Sequence, residues 1–470
     1  MNDEVLAQVV SPKPDWHAFE PWTGDLDGMM RRRTVRFLVP YSKTVYFVDK
    51  GEQFGTAVER GEAFEAQLNE GKIEADEHVV VTYVPLPRDQ LIPALNQGLG
   101  DIVAGSLTVT PERMKSVDFS VPFITNVKEV LVTGPAGLDA LSRIEDLSGR
   151  DLYIRKTSSY YEHVAAVNER LKAQKRAAIN LIPADETLED EDLLEMVNAG
   201  LLPYTIVDDY RAGIWAKVFP NLVVRSDIIV SQGDDIAWAI RKNSPLLKAA
   251  VDDFAWTHKV GTAFGNFLKS RYYSDDTMVR RALAPKALQD FADLTGYFQK
   301  YAQEFNFDHL LIMAQGYQES RLDQERVSPK GAVGIMQLLP ATAASKDVGV
   351  ADIVSSADRN IYAGTKYMRY LISTFVNDPK VDDMNQVLFA FAAYNAGPGN
   401  LKKFRDQAAL MGLDPNRWFD NVEHAAAAIV GRQTVQYVSN IRKYYIAYTL
   451  SDKITTKRAS DLEQAKQKEP

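Results

Sequence analysis

The spacing of apolar residues divides the chain into two regimes. From Thr34 onward, short apolar runs alternate with amphipathic segments. Residues 35–39 read as a buried strand, 57–68 as a helix and 77–84 as a second strand. A short helix over 90–97 stops at Gly98, and a strand over 101–105 ends at Gly105. The alternation continues with strands at 128–132 and 152–155, helices at 159–173 and 189–198, and a strand at 204–208 whose last residue is Asp208. A strand at 235–240 and a helix at 245–258 return to the first pattern. Such alternation predicts a largely parallel sheet covered by helices on both faces. Two crossings between two similar units predict a hinged bilobal domain that binds its ligand between the lobes.

Beyond about residue 274 the strand signal disappears. Helices are predicted at 286–305, 309–319, 340–345, 358–375, 385–394 and 433–450, with breaks at Gly331, Gly334, Gly397-Pro398-Gly399 and Pro415. The expected organisation is multidomain. It runs from an irregular arm (1–33) to a bilobal α/β domain (34–274), with lobe 1 at about 34–125 and 232–274 and lobe 2 at about 126–231. A linker (275–285), an all-α domain (286–450) and a mobile tail of mixed charge (451–470) follow.

Composition narrows the function classes. The 470 residues are 46% hydrophobic and 25% charged, which excludes a mostly disordered or fibrous chain. A net charge of −9 argues against general nucleic-acid binding. No apolar run approaches the ~20 residues of a membrane span. The absence of cysteine excludes disulfides, thiolate metal sites and cysteine nucleophiles. Met1 is followed by Asn2-Asp3-Glu4, which does not read as a signal peptide, so the chain is either cytoplasmic or lacks its leader. The six histidines show no i, i+4 pairing, and no metal site is expected. The acidic run 189–192 is expected to open a helix and complement its dipole. No P-loop, dinucleotide fingerprint or Gly-x-Ser-x-Gly elbow occurs, and no cofactor is expected.

The most informative chemistry surrounds Glu319. It closes a helix whose inner face carries Leu310, Leu311, Ala314 and Tyr317. A carboxyl against such a wall loses hydration, which raises its pKa and suits it to act as a general acid. The glycine-rich stretch from Gly331 to Gly334, with Gln337 and Tyr394-Asn395, offers a cleft floor and polar partners.

At these residues the sequence resembles the lytic transglycosylase family with the lysozyme-like fold. The blocks are Glu319-Ser320, residues 331–342, residues 360–368 and residues 393–399, in the family's order. The resemblance implies cleavage of the MurNAc–GlcNAc bond of peptidoglycan glycan strands. Glu319 takes the place of the catalytic acid, and Ser320, Gln337, Tyr394 and Asn395 fall on substrate-groove positions. Glycosidases ordinarily use two carboxylates, whereas here no second one lies in the matched blocks. In this family one Glu protonates the glycosidic oxygen, then as carboxylate takes the proton of the sugar's C6 hydroxyl. That hydroxyl closes a 1,6-anhydro ring. Leu339 stands where methionine is common, and Gln433 where many relatives carry Glu.

The stretch from Ala104 to Arg113, followed by residues 117–123, resembles the periplasmic amino-acid-binding proteins of transport systems. The resemblance assigns Thr108 and Arg113 to a ligand's α-carboxylate, a planar anion that suits a guanidinium. It assigns Asp208, from the second lobe, to the α-ammonium. The loop Arg155-Lys156-Thr157-Ser158-Ser159 lacks the Gly-Thr-Gly common in that family, so a muropeptide or stem peptide competes with a free amino acid as the expected ligand. A binding domain ahead of a transglycosylase domain is the arrangement of F-type membrane-bound lytic transglycosylases. That implies a periplasmic protein associated with the outer membrane. Two alternatives remain: a receptor that binds glycan without cutting it, and a lysozyme-type hydrolase.

Overall fold

Three of the apolar runs pair side by side as parallel strands, Val80–Pro85, Thr34–Val39 and Ile102–Thr108, connected by helices Thr56–Leu68 and Arg88–Asn96. Val35, Phe37, Val39, Val81 and Tyr83 are fully covered, as expected for parallel strands with helices on both faces. This computed structural model describes residues 20–49, 52–72, 78–137, 140–277, 280 and 285–467.

The sheet does not stay parallel. Ile124–Thr133 leaves lobe 1 for lobe 2, and Val223–Arg241 returns antiparallel to it and to Ile102–Thr108. The main sheet thus runs in the order Tyr204–Asp208, Ile124–Thr133, Val223–Arg241, Ile102–Thr108, Thr34–Val39, Val80–Pro85, with Val117–Phe119 also on the return strand. A chain that crosses to a second lobe must come back, and its return beside the outgoing strand fixes the antiparallel pairing. The 19-residue return strand carries four register shifts against its partner. Such irregularities bend a strand and twist it locally.

Lobe 2 adds the parallel pair Asp151–Arg155 and Asn180–Ala184, with helices Ser159–Ala173, Asp190–Asn198 and Asp209–Val218. Its core includes Leu152, Ile154, Val164, Leu194, Ile206 and Trp215. The helix Ala263–Tyr273, which the sequence assigns to lobe 1, buries Leu268 and Tyr272 in this core instead. The Tyr272 hydroxyl also holds lobe 1, accepting from the Gly55 N–H at 3.2 Å and donating to Glu59 Oε1 at 3.0 Å.

The second region is helical. Helices Pro285–Glu304, His309–Ser320, Ala357–Leu371, Asp383–Ala396, Pro398–Leu410, Glu423–Val430 and Arg432–Gln467 enclose a core with Phe298, Leu311, Met336, Phe391, Phe404, Trp418 and Ile441. Gly397, at φ 88°, ends one helix and Pro398 begins the next, so the glycine–proline pair makes a corner rather than a loop. The last helix continues to Gln467 through the segment expected as a mobile tail, whose residues 451–467 hold no Pro or Gly and many good helix formers. The expectation of an irregular arm is corrected. The arm holds a helix, Leu26–Arg31, capped by Asp25, and the carbonyls of Glu20 and Trp22 accept from the buried Arg36. The expected linker lies mostly outside the described residues.

The two regions touch. The last helix packs along Val80–Pro85, with Lys443 Nζ 3.8 Å from Glu65 and over the ring of Tyr83. Arg33 pairs with the buried Glu423.

Candidate active site and interlobe cleft

Glu319 owes its position to its helix. The Asp308 carboxylate accepts from the Leu310 N–H at the N-terminus, every residue from Leu310 to Tyr317 is buried, and Arg321 ends the helix in a left-handed conformation at φ 63°. Glu319 sits half-buried on the last turn, and the Tyr437 hydroxyl donates to its Oε1 at 2.5 Å. Burial pushes its pKa up from 4.5 to about 7, against the Tyr437 hydrogen bond and the more distant Arg326 guanidinium, which favour the carboxylate. Among the described residues, Arg326 is the charged group that acts on Glu319, and no second carboxylate does. Tyr437 is buried and receives a bond from Gln315 Nε2 at 3.4 Å.

The glycine-rich turn is locked from behind by Asn360. This fully buried amide accepts from the Met336 N–H at 2.8 Å and donates to the carbonyls of Val333 and Ile353 at 2.9 and 3.2 Å. Gly334, at φ 75°, packs so closely that a Cβ there would lie 2.3 Å from Asn360 Nδ2. Tyr394 donates to the Met336 carbonyl at 2.7 Å, and its acidity is suppressed by burial and then by the neighbouring Glu319 charge. Asn395 Oδ1 accepts from Thr434 Oγ1 at 2.9 Å, tying its helix to the last one. Gln337, half-buried at φ 45°, spends its amide donors on the carbonyls of Gly334 and Arg326.

Gln337 thus lies in the turn, Tyr394 bonds to it and feels the charge of Glu319, while Asn395 is tied to the last helix. Ser320 corrects its expectation. It is 1% exposed, and its hydroxyl donates to the Ile335 carbonyl at 2.8 Å. It holds the turn against the Glu319 helix and is turned away from any groove. The sequence assigns no role to Tyr437 or Gln315, and it marks Asn360 only as the start of the matched block 360–368. The signal for Tyr437 was a phenol between the buried Val435 and Val438, since a buried tyrosine needs a polar partner.

The second site is a cleft of about 280 Å³ between the lobes, lined among others by Thr108, Arg113, Thr157, Ser159, Asp208 and Arg211. All three residues expected to bind a ligand line it, but not as free groups. Thr108 Oγ1 accepts from the Ser159 hydroxyl at 3.1 Å. Arg113 donates to the carbonyls of Thr108 and Thr157 at 2.8 and 2.9 Å and has no carboxylate partner among the described residues. Asp208 Oδ2 lies 3.2 Å from Arg211 Nε, while its Oδ1 is buried without a partner among the described residues. Burial pushes the Asp208 pKa up to about 7, opposed by Arg211 and helped by Glu129.

The lobes are held closed by direct bonds. Arg88 grips Glu189 with Nε and Nη2 at 2.8 to 3.0 Å, and Glu191 accepts from the Lys43 N–H at 2.6 Å. The acidic run opens its helix as expected, with a capping box between Glu189 and Asp192, and all four of its residues are buried. Asp190 is neutralised by Arg155 at 2.5 Å and Arg211 at 3.0 Å. In the glycine-free loop the Thr157 N–H is already bonded to Glu186 at 3.0 Å. A further cavity of about 320 Å³ lies between the two regions, beside Trp22, Arg33, Phe419 and Arg442, and none of the expected site residues lines it.

Residues 34–262 match the bacterial extracellular solute-binding proteins, family 3, and residues 296–411 match the transglycosylase SLT domain. A protein of Desulfosudis oleivorans named membrane-bound lytic murein transglycosylase F is 28% identical over 392 residues, covering 76% of this chain and 79% of that protein. A protein of the same name from Pseudomonas fluorescens strain Pf-5 is 28% identical over 432 residues, covering 87% and 84%. Among solved structures, the ancestral amino acid-binding protein AncCDT-1 aligns with a TM-score of 0.43 at 25% identity, covering 53% of this chain and 98% of its own.

Proposed function

The chain belongs to the lytic murein transglycosylases that join a family 3 solute-binding domain to an SLT transglycosylase domain, and from that premise we propose that Glu319 is its catalytic acid and base. The chain is a peptidoglycan lytic transglycosylase. The observation that carries the proposal is a carboxyl with its pKa near 7, hydrogen-bonded to Tyr437, with no second carboxylate acting on it among the described residues. At neutral pH such a group is shared between its acid and its base forms, and general acid–base work is most efficient when pKa and working pH match.

In the protonated form Glu319 gives its proton to the glycosidic oxygen as the bond to C1 of MurNAc breaks. The carboxylate so formed takes the proton of the C6 hydroxyl, whose oxygen bonds to C1. Glu319 regains its proton, a 1,6-anhydroMurNAc end is left, and no water is consumed. Tyr437 steadies the carboxylate half of the cycle, while Tyr394 and Asn395 form the floor on which the sugar rests. Gln337 shapes the turn beside it.

Digestion of sacculi in ¹⁸O-labelled water tests this reading by mass spectrometry. Anhydro ends without label are expected. Label at the new MurNAc end would identify a lysozyme-type hydrolase, and intact sacculi would identify a receptor that binds without cutting.

For the binding domain we infer a ligand with a free α-carboxylate and α-amino group, an amino acid or a peptide fragment of the wall. The support is the carboxylate-free Arg113 and the orphaned Asp208 Oδ1 across one cleft. Peptidoglycan lies in the periplasm, and the proposed surface for a protein whose relatives are named membrane-bound is the outer membrane. Among the described residues no helix is long and apolar enough to cross a membrane.

A further inference from the structure

Three residues far apart in sequence converge on the hinge, outside the transglycosylase site. Glu129 lies on the outgoing strand, Asp234 on the return strand and His163 on the helix Ser159–Ala173. One ligand atom from each lies within 4.8 Å of the other two. Glu129 is fully buried. Its Oε2 is 2.7 Å from His163 Nδ1, and its Oε1 has no partner among the described residues. Asp234 Oδ2 is also buried without a partner among them. A buried carboxylate oxygen normally finds a donor or a cation, and here two orphaned ones accompany one imidazole. The strand is shaped for this convergence. Register shifts fall on both sides of Asp234, and Gly233 before it adopts φ 82°, an irregularity of the kind that re-aims a side chain.

We propose that Glu129, His163 and Asp234 bind a divalent transition-metal cation of the Zn²⁺ type, which pins the lobe 2 helix to both crossing strands. One imidazole nitrogen and two carboxylate oxygens suit Zn²⁺ and its neighbours, whereas Ca²⁺ and Mg²⁺ favour all-oxygen sets. Two negative charges balance the ion. His163 and Asp234 are only half-buried, which leaves a way in and room for a water as fourth ligand. The competing occupant is a proton on His163, which the Glu129 hydrogen bond favours against burial, with Asp234 and Glu162 adding to it. The ion would also reach the ligand cleft, because Glu129 is the register partner of Asp208 and opposes its ionisation. Sequence spacing hides the site, since its three members sit on three separate elements.

The test is calorimetric titration of the full chain with ZnCl₂ after chelator treatment, with CaCl₂ and MgCl₂ in parallel. Saturable Zn²⁺ binding is expected. His163→Gln should weaken it by roughly 100-fold or more, since even an outer-shell partner is worth about 10- to 100-fold. Asp234→Asn, at a half-buried position, serves as the second ligand variant should His163→Gln not fold. His424→Gln is the control for the other such cluster, Asp420, Glu423 and His424, and should leave binding unchanged. Absence of saturable Zn²⁺ binding would overturn the proposal and leave a protonated histidine between two carboxylates. Binding that survives both ligand variants, that is lost in His424→Gln, or that favours Ca²⁺ would overturn it equally.

Discussion

Replacing Glu319 by Gln should remove activity and yet stabilise the protein at alkaline pH. The fold pushes this carboxyl from 4.5 to about 7, chiefly by burial. The sign follows from linkage. A raised folded-state pKa means that the native state holds the proton more tightly than the unfolded chain. Stability is therefore fully present at pH well below 4.5 and is lost as pH rises through about 7. A shift of that size is worth about 3 kcal/mol, and the partial exposure of the side chain reduces it to about 1–3 kcal/mol. Glutamine keeps the shape and carries no charge, so the variant escapes that loss. Urea unfolding of both proteins should give near-equal stability at about pH 4 and a variant more stable by ~1–3 kcal/mol at about pH 8.5. Release of anhydromuropeptides should fall by about 10²–10⁴-fold, the usual value of general acid–base assistance. A stability difference that does not grow with pH would refute the desolvated-acid argument. Substantial turnover by a folded variant would move the acid elsewhere.

Tyr437→Phe should raise the Glu319 pKa further, because it deletes a hydrogen bond to the charged form. Bonds to ionised groups are worth ~1.5–3 kcal/mol, so the alkaline limb of the pH–rate profile should move up by about 1–2 pH units; an unmoved limb would exclude coupling between the two groups. Gly334→Ala places a methyl 2.3 Å from Asn360 Nδ2 at a positive φ, and should cost a few kcal/mol of stability and most activity, whereas Gly331→Ala, with open space beside it, should cost about 1 kcal/mol of strain. In the binding domain, Arg113→Ala should weaken an α-carboxylate ligand by ~2–5 kcal/mol in calorimetry. Affinity for an amine-bearing ligand should rise as pH passes about 7, where Asp208 ionises; pH-independent affinity would remove Asp208 from the ligand site.

Most of the architecture was legible because it rests on periodicity. Residues 159–173 and 204–208 coincide with the helix Ser159–Ala173 and the strand Tyr204–Asp208. Direction of pairing was not legible. Nothing in the run 235–240 reveals that it ends a 19-residue strand, since the polar stretch Ser231-Gln232-Gly233-Asp234-Asp235 separates it from Val223, Val224 and Ile228-Ile229-Val230 earlier in the same strand. The site divides in the same way. Glu319 stood out through its apolar helix and local motif, while Tyr437, Gln315 and Asn360 act across long sequence separations that no local pattern records. Ser320 misled because adjacency to the acid does not say which way a side chain turns. At a helix C-terminus one step in sequence swings it from the cleft into the core.

The same geometry bounds what one hydrogen bond can carry between the two domains. Tyr437, which bonds the acid, and Lys443, which meets Glu65 and the ring of Tyr83 in lobe 1, lie on one helix. Six residues of helix separate them by about 9 Å along its axis, so the rod cannot slide at one contact and stay fixed at the other. A movement of Val80–Pro85 that displaces this helix reaches Glu319, the proposed acid, by two routes: the packing of the same helix on His309–Ser320, where Tyr444 meets Tyr317 and Tyr445 reaches Asp308, and the single hydrogen bond from Tyr437. That bond is worth ~1.5–3 kcal/mol, and a bound ligand can shift an equilibrium only by its differential affinity for the two states. Through that bond, closing the lobes can therefore alter the protonation equilibrium of Glu319 by about 10- to 150-fold at most. It tunes the acid without switching it off. Complete silencing would require the Glu319 helix itself to move, and only the packing route can do that, because the last helix lies directly against it in one core.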